Sequence, residues 1–400
     1  MTAWLSIVGI GEDGLDALST EAKAAIESAI LLVGGERHLA MLPDDNRERK
    51  TWPSPLMDLV HEIIDRRGEK ICILATGDPM QYGIGVTFAK RLPVEELAIY
   101  PSLSAFSLAA ARLGWDISQT ETVTLHGRPL SMLIPLLTPE AQLLALSDCG
   151  QTPSNVAALL TSLGFGESEM TILEHMGGAE EATSIFRANS FPSKQFRDLN
   201  TIAIRCHADR DAKFYSTSPG LPDDAFFHDG QLTKQEVRSA TLAALSPLPG
   251  QLLWDVGAGC GSIGIEWMRT HRTNSAIAIE NQAHRVALIN ENRGALGVPQ
   301  LKIVEGKAPD ALSELPAPDA VFIGGGLCQT GVIDACWQAL KPGGRLVANA
   351  VTLEGEQKLF DLYQRKGGSM TRLNIARVEK LGGLTGWRPL RQVTQLRLVK

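Results

Sequence analysis

The chain has 400 residues, 44% hydrophobic and 21% charged, a composition that supports packed cores and excludes wholesale disorder. At roughly 150 residues per domain, the length predicts two or three domains. A formal charge of −7 argues against a surface that tracks nucleic-acid phosphates, and the uncharged run of residues 239–254 is too short for a bilayer. Residues 5–9 read as a strand, and Ser19 or Thr20 caps a helix through residue 30. Buried strands follow at 71–75 and 97–100, a helix at 104–112 stopped by Gly114, and a strand at 143–146. Thr152 reads as an N-cap with Pro153 at the first helical position, in a helix that ends near Gly164.

Residues 206–230 break this pattern with Pro219, Gly220 and Pro222 among hydrated Asp209, Asp211, Asp223 and Asp224. His207, Asp209 and Asp211 there read as solvated linker rather than a metal cluster. Strands at 253–256, 276–279, 302–304, 320–323 and 345–350 follow, with helical stretches between the first four and a helix at 332–340 before the fifth. The alternation predicts an α/β protein with mainly parallel sheets. Its expected divisions are two lobes over 1–113 and 114–205, a linker over 206–225, and one doubly wound Rossmann-like domain over 226–400. Cys72, Cys149, Cys206, Cys260, Cys328 and Cys336 form no CxxC pair, and the eight histidines show no ligand spacing. Reduced thiols and no metal site are expected.

Residues 252–266 read LLWDVGAGCGSIGIE: strand, acid, glycine turn, helix. Gly257, Gly259 and Gly261, with Ala258 and Cys260 between them, allow tight turning and bare backbone amides beside a ligand. Two patterns fit this run. Gly259, Gly261 and Gly264 satisfy the GxGxxG of NAD enzymes, while Asp255 through Gly261 satisfies that of class I methyltransferases, which bind S-adenosylmethionine (SAM). Asp255, two residues before Gly257, would repel a pyrophosphate and tolerate a sulfonium amino acid. Glu280 ends the next strand, where a carboxylate can accept ribose hydroxyls. A Pro-Gly-Gly turn in LKPGGRL (340–346) precedes the last parallel strand. Together these favour SAM over NAD and over a ligand-free turn. Upstream, Thr233 and Glu236 have capping-box spacing. The functional alternative has this segment fold over the cofactor and offer Lys234 and Arg238 to an anionic substrate.

In the first half, Gly9, Gly11 and Gly14 follow the first strand. Glu12 and Asp13 would sit inside any phosphate cradle there, which argues against a dinucleotide. Strand 71–75 runs into Thr76-Gly77-Asp78-Pro79 and then Tyr82-Gly83-Ile84-Gly85. Tyr100-Pro101-Ser102-Leu103-Ser104-Ala105 repeats the arrangement at the next strand end, so bare backbone meets a ligand at several strand tips.

On VGIGEDG (8–14), LATGDPMQYGIG (74–85), PSLSAF (101–106), LHGRP (125–129) and LLALSD (143–148), residues 1–205 resemble the tetrapyrrole (class III) methyltransferases of the cobalamin pathway. On HDGQLTKQEVR (228–238), WDVGAGCGSIGIE (254–266), IEN (279–281), EGKAPDAL (305–312) and LKPGGRL, the C-terminal part resembles the class I decarboxylating methyltransferases of that pathway. The fused order is similar to the family of decarboxylating C5,15-methyltransferases of precorrin-6B (6Y), which yields precorrin-8. The resemblance implies two SAM sites, C5 methylation by the N-terminal domain, and C15 methylation with loss of the ring C acetate carboxyl by the C-terminal one. It carries SAM contacts onto Gly77, Asp78, Pro79, Ser102, Ser104 and Ala105, and onto Thr233, Gly257, Ala258, Gly259, Cys260, Gly261, Glu280 and Ala308. Gly9 and Gly11 fall on the substrate side. Where the family commonly has Asp, this chain has Lys307, which cannot accept a hydrogen bond from adenine.

A reduced tetrapyrrole is electron-rich at its bridge carbons, so no Ser, Cys or His nucleophile is required. Catalysis then rests on positioning in a dry site. Arg128, Lys234 and Arg238 are the candidates for substrate carboxylates, and Asp229 and Glu236 for proton transfer. A cytoplasmic homo-oligomer, dimer or tetramer, is expected, with a tetrapyrrole as partner and neither nucleic acid nor membrane. The alternatives are a methyltransferase of RNA or another small molecule with an accessory N-terminal domain, an NAD-dependent oxidoreductase, and a non-catalytic SAM-binding regulator.

Overall fold

The computed structural model describes residues 3–400, which fall into two compact units. One runs to Leu130 and takes in Thr138–Lys213; the other joins Ser131–Leu137 to Phe214–Lys400.

The first unit holds two sheets. Strands β1 (Leu5–Ile10), β2 (Leu31–Gly34), β3 (Glu48–Thr51), β4 (Ile71–Thr76) and β5 (Leu97–Tyr100) form an all-parallel sheet in the order β3-β2-β4-β1-β5. β1 and β4 are unbroken apolar runs because apolar clusters cover both faces of the sheet, one around Ile7 and Ile73, the other around Val8 and Leu74. The register pairs Ile10 with Thr76 and Val8 with Tyr100, so three strands end side by side at their carboxyl tips. The second sheet joins β6 (Glu121–Thr124), β7 (Gln142–Leu146), β8 (Glu169–Glu174), β9 (Ala182–Arg187) and β10 (Asn200–Arg205) in the order β6-β7-β10-β8-β9. Only β6 and β7 pair in parallel; the other three pairings are antiparallel, so this sheet is the mixed one in a protein whose pairings are mainly parallel. The expected N-cap at Thr152 is also corrected. Helix Thr152–Ser162 begins one residue earlier than expected, after Gln151, and Thr152 Oγ1 accepts from the amides of Asp148 and Cys149 in the preceding turn.

The second unit is a seven-stranded sheet. Strands β11 (Leu252–Val256), β12 (Ser275–Glu280), β13 (Lys302–Glu305), β14 (Ala320–Ile323) and β15 (Arg345–Ala350) are the five expected parallel strands. Beyond them lie β16 (Ser369–Leu373), a hairpin of β17 (Ala376–Leu381) and β18 (Leu384–Pro389), and β19 (Val393–Val399). β19 inserts antiparallel between β15 and β16, giving the order β13-β12-β11-β14-β15-β19-β16. The hairpin stands apart as its own two-stranded sheet, turning on Gly382 and Gly383, with Gly382 at φ +63. Part of the expected linker belongs to this unit: Leu221 is buried in its core, and the amides of Gly220 and Leu221 donate to Glu266. Among the described residues, no helix is long and apolar enough to cross a membrane.

Candidate functional site

A cavity of about 1210 Å³ opens at the carboxyl ends of β11, β12 and β14 in the second unit. Its floor is the glycine loop. Gly257, Gly259 and Gly261 take φ values of +69, +60 and +82, the left-handed region that glycine enters without penalty. A Cβ at Gly257 would lie 2.5 Å from Gly325 Cα, so two glycine turns, one after β11 and one after β14, pack backbone on backbone. The Gly324-Gly325-Gly326 run directly after an apolar strand was a legible signal that the sequence reading left unused.

The expected bare amides are not what the loop offers. Gly257 and Ala258 both donate to the Ile279 carbonyl at 2.9 and 3.1 Å, and Gly261 donates to Ala258 at 2.9 Å. Gly259 donates to Glu280 Oε2 at 2.8 Å. With four N–H groups engaged internally, the loop is not an anion nest of the kind a pyrophosphate requires. It is a shaped wall, which argues against NAD on physical grounds.

Glu280 is only 4% exposed yet lines the cavity. Besides Gly259, it accepts from the amides of Asn281 at 2.9 Å and Gln282 at 3.1 Å through Oε1. A carboxylate offers about four lone-pair positions, so three amides leave roughly one for an incoming hydroxyl. Ala258, Cys260, Ala308, Thr233 and Lys234 also line the cavity, and so does Lys307.

Four expectations are corrected here. Asp255 does not face the cavity: at 1% exposure it lies behind the loop, and its Oδ2 accepts from Gly264 at 2.9 Å while Oδ1 has no partner. Arg238 is fully buried and unavailable to a substrate. It donates to Glu266 at 2.8 Å, to Asp223 at 2.9 Å and to the carbonyls of Thr233 and Leu221. The capping box does not form. Lys234, not Thr233, is the N-cap of helix Gln235–Leu245, and its ammonium cannot accept from an amide; Glu236 pairs instead with Arg377 at 2.6 and 3.0 Å, which also donates to Asp223 at 2.8 Å. Asp229 is a poor proton carrier, since the Gln231 amide and the Arg285 guanidinium hold its carboxyl at about 2. Glu236 is likewise held low, chiefly by Arg377.

Burial pushes the Asp255 carboxyl from 3.8 up to about 7, against the Gly264 hydrogen bond and with help from the Glu280 charge. A raised folded-state value favours the neutral form in the native protein, so the stability it contributes is fully present below 3.8, declines as pH rises from there and is gone above about 7. The gap from 3.8 to about 7 corresponds to roughly 4 kcal/mol at 1.36 kcal/mol per pH unit. Asp255→Asn, which mimics the neutral acid, is expected to melt modestly above wild type at pH 5 and by a clearly wider margin at pH 8. A Tm difference that does not grow between those two conditions counts against a neutral Asp255.

The far wall of the cavity was not read from sequence. It comes from the β17–β18 hairpin and the residues after it, through Arg377, Arg388 and Arg391. Arg388 donates to Glu379 at 3.1 Å.

In the first unit, the expected residues meet at the tips of β1, β4 and β5. A Cβ at Gly9 would collide with the Gly77 carbonyl oxygen, and that oxygen accepts from the Ser102 amide at 3.3 Å. Gly77 takes φ +58 and donates to Ile10 at 3.0 Å. Asp78 Oδ1 accepts from the Met80 amide at 2.8 Å, and Gly85 donates to the Pro79 carbonyl at 3.0 Å. Ser104 caps helix Ala105–Leu113 by accepting from Ser107 at 3.1 Å. Gly11 packs on the flexible Asp13 side chain. Arg128 is exposed, with its guanidinium 5.6 Å from the centre of the Tyr82 ring.

Residues 5–190 match the family of tetrapyrrole (corrin/porphyrin) methylases, and residues 224–400 match the precorrin methyltransferase domain. The chain is 48% identical over 396 residues to a Sinorhizobium protein named precorrin-6Y C(5,15)-methyltransferase (decarboxylating), covering 99% of this chain and 96% of that one. A Mycobacterium tuberculosis protein of the same name is 38% identical over 98% of this chain and 99% of its own. A Salmonella typhimurium protein named cobalt-precorrin-7 C(5)-methyltransferase is 32% identical over 44% of this chain and 87% of its own. With both domain families matched in order and near-half identity held end to end, the chain belongs to the family of decarboxylating precorrin-6Y C(5,15)-methyltransferases.

Proposed function

We propose that this enzyme methylates precorrin-6B (6Y) at C5 and C15 and removes the carboxyl of the ring C acetate, using two separate SAM sites. The observation that carries this is the pair of unlike glycine constellations, one in each compact unit, each at the carboxyl tips of parallel strands. In the second unit the cavity size, the engaged loop amides and the Glu280 carboxylate suit a nucleoside without a pyrophosphate. SAM supplies an electrophilic methyl group, and the electron-rich ring supplies the nucleophile.

In this reading Glu280 accepts a ribose hydroxyl, Gly257 through Gly261 shape the floor, and Ala308 and Lys307 lie on the adenine side. Lys234 and Arg391 line the cavity without an ion-pair partner among the described residues. They seat the carboxylates that the substrate keeps. A cation beside the departing carboxylate would stabilise its charge in the ground state and oppose its loss. The first unit methylates C5 and the second acts at C15. The reading extends to a cytoplasmic homo-oligomer. Six unpaired cysteines support the compartment, and Leu384 and Trp387, exposed on the hairpin, supply apolar surface for association.

Incubation with precorrin-6B and excess SAM is expected to add two methyl groups and remove one carbon dioxide, read by mass spectrometry. A calorimetric titration is expected to find two SAM equivalents per chain. A product with a single methyl and its carboxyl intact would overturn the assignment of two sites.

A further inference from the structure

Three elements of the first unit bring ionisable side chains together at the tips of its sheets. Glu12 follows β1, Arg37 lies in the helix Glu36–Ala40 after β2, and His175 directly follows β8 of the other sheet. Glu12 Oε2 lies 2.8 Å from His175 Nδ1, and Glu12 Oε1 pairs with Arg37. Arg37 Nη2 in turn donates to Thr76 Oγ1 at 3.4 Å, one residue before Gly77. The set is therefore tied to the strand tips where the expected SAM residues Gly77, Asp78 and Ser102 meet.

Two further features mark the position as built. His175 takes φ +47, a left-handed conformation that a residue with a Cβ rarely adopts. Its carbonyl accepts from Gly178, where a Cβ would lie 2.9 Å from the Glu12 Cβ, so the turn is fitted closely against that carboxylate's stem. His38 also contacts Arg37 and Thr76, but its burial and the Arg37 charge depress it to about 4, so it is neutral.

We propose that His175, oriented by Glu12, accepts the proton that C5 loses when the first unit methylates it. This rests on the assignment of C5 methylation to that unit. C5 forms a bond to the methyl carbon as the methyl–sulfur bond breaks, and that electron pair stays on sulfur. C5 then carries both hydrogen and methyl on a cationic ring. Breaking its C–H bond returns the electron pair to the ring conjugation, and the proton passes to Nε2 of His175. Nδ1–H donating to Glu12 leaves Nε2 as the acceptor, and the carboxylate stabilises the imidazolium that forms. Arg37, on the other oxygen, keeps Glu12 in place.

The test uses the full chain with precorrin-6B, following transfer to C5 and C15 separately by NMR of the products. His175→Ala is expected to slow C5 transfer about 100-fold or more, with SAM affinity in the first unit within about twofold of wild type, and added imidazole is expected to restore part of the rate. Glu12→Gln is expected to lower kcat for C5 about tenfold with little change in KM. In the ligand-free protein, nitrogen-15 NMR is expected to find His175 protonated at Nδ1 and bare at Nε2. A C5 rate within about fivefold of wild type, a loss that imidazole does not restore, or the opposite tautomer overturns the proposal. A wild-type chain that moves no methyl to C5 overturns the functional reading and this proposal with it, whereas failure confined to the variants overturns the proposal alone.

Discussion

Arg238→Ala is expected to destabilise the second unit by about 3–5 kcal/mol, the cost of leaving a buried charge without its partner. Glu266, fully buried at its side chain, loses its Nε donor and keeps only the Gly220 and Leu221 amides. The carbonyls of Thr233 and Leu221 lose their donor at the same time, and the guanidinium no longer covers the Phe226 ring, 4.8 Å away. In urea unfolding the buried Trp254 and Trp267 carry this unit's fluorescence signal, beside that of Trp4, Trp52 and Trp115 in the first unit. The two units need not unfold together, so the transition of the second is fitted by itself. Arg238→Met with Glu266→Leu is expected to recover only part of the loss: it leaves no orphaned charge, but the Gly220 and Leu221 amides and the Thr233 and Leu221 carbonyls stay without those partners. If Arg238→Ala raises only the KM for the tetrapyrrole and leaves unfolding unchanged, the buried role is wrong and the substrate role returns.

Glu280→Ala is expected to weaken SAM binding in the second unit by about 1–3 kcal/mol, or roughly 5- to 150-fold. Two effects combine. The ribose loses a charged acceptor, and the amides of Gly259, Asn281 and Gln282 lose the carboxylate that fixes the loop. Calorimetry on the full chain carries its own control, since the site proposed for the first unit is untouched. Glu280→Gln keeps the shape but supplies a single acceptor oxygen, so an intermediate loss is expected. Equal affinities in wild type and Glu280→Ala would remove Glu280 from the ribose.

The parallel strands were legible because burial on both faces leaves an unambiguous mark: ICILAT and LLWDV are apolar nearly throughout. The second sheet of the first unit was not. Its edge strand β9 reads ATSIFR, largely exposed and barely alternating, and antiparallel pairing leaves no signal in a single strand. The glycine loops were found because their backbone demands are local. Side-chain partners were another matter. Thr233 and Glu236 have the spacing of a capping box, yet Arg377, 141 residues from Glu236, takes the carboxylate. Arg238 resembled a surface cation because Glu266, its buried counterion, lies 28 residues on in a helix that reads as ordinary. Glu12 and His175 are separated by 163 residues, and no spacing rule reaches that far. The hairpin wall was missed because ARVEKL and LTGWRP have no face that packs on a core.

The internally bonded glycines also bear on what competes for the part of the cavity floor they form. Inorganic phosphate and sulfate dock on unoccupied N–H donors, and Gly257, Ala258, Gly259 and Gly261 have none to give. At those four positions discrimination is therefore steric, because no N–H remains there to hold an oxyanion.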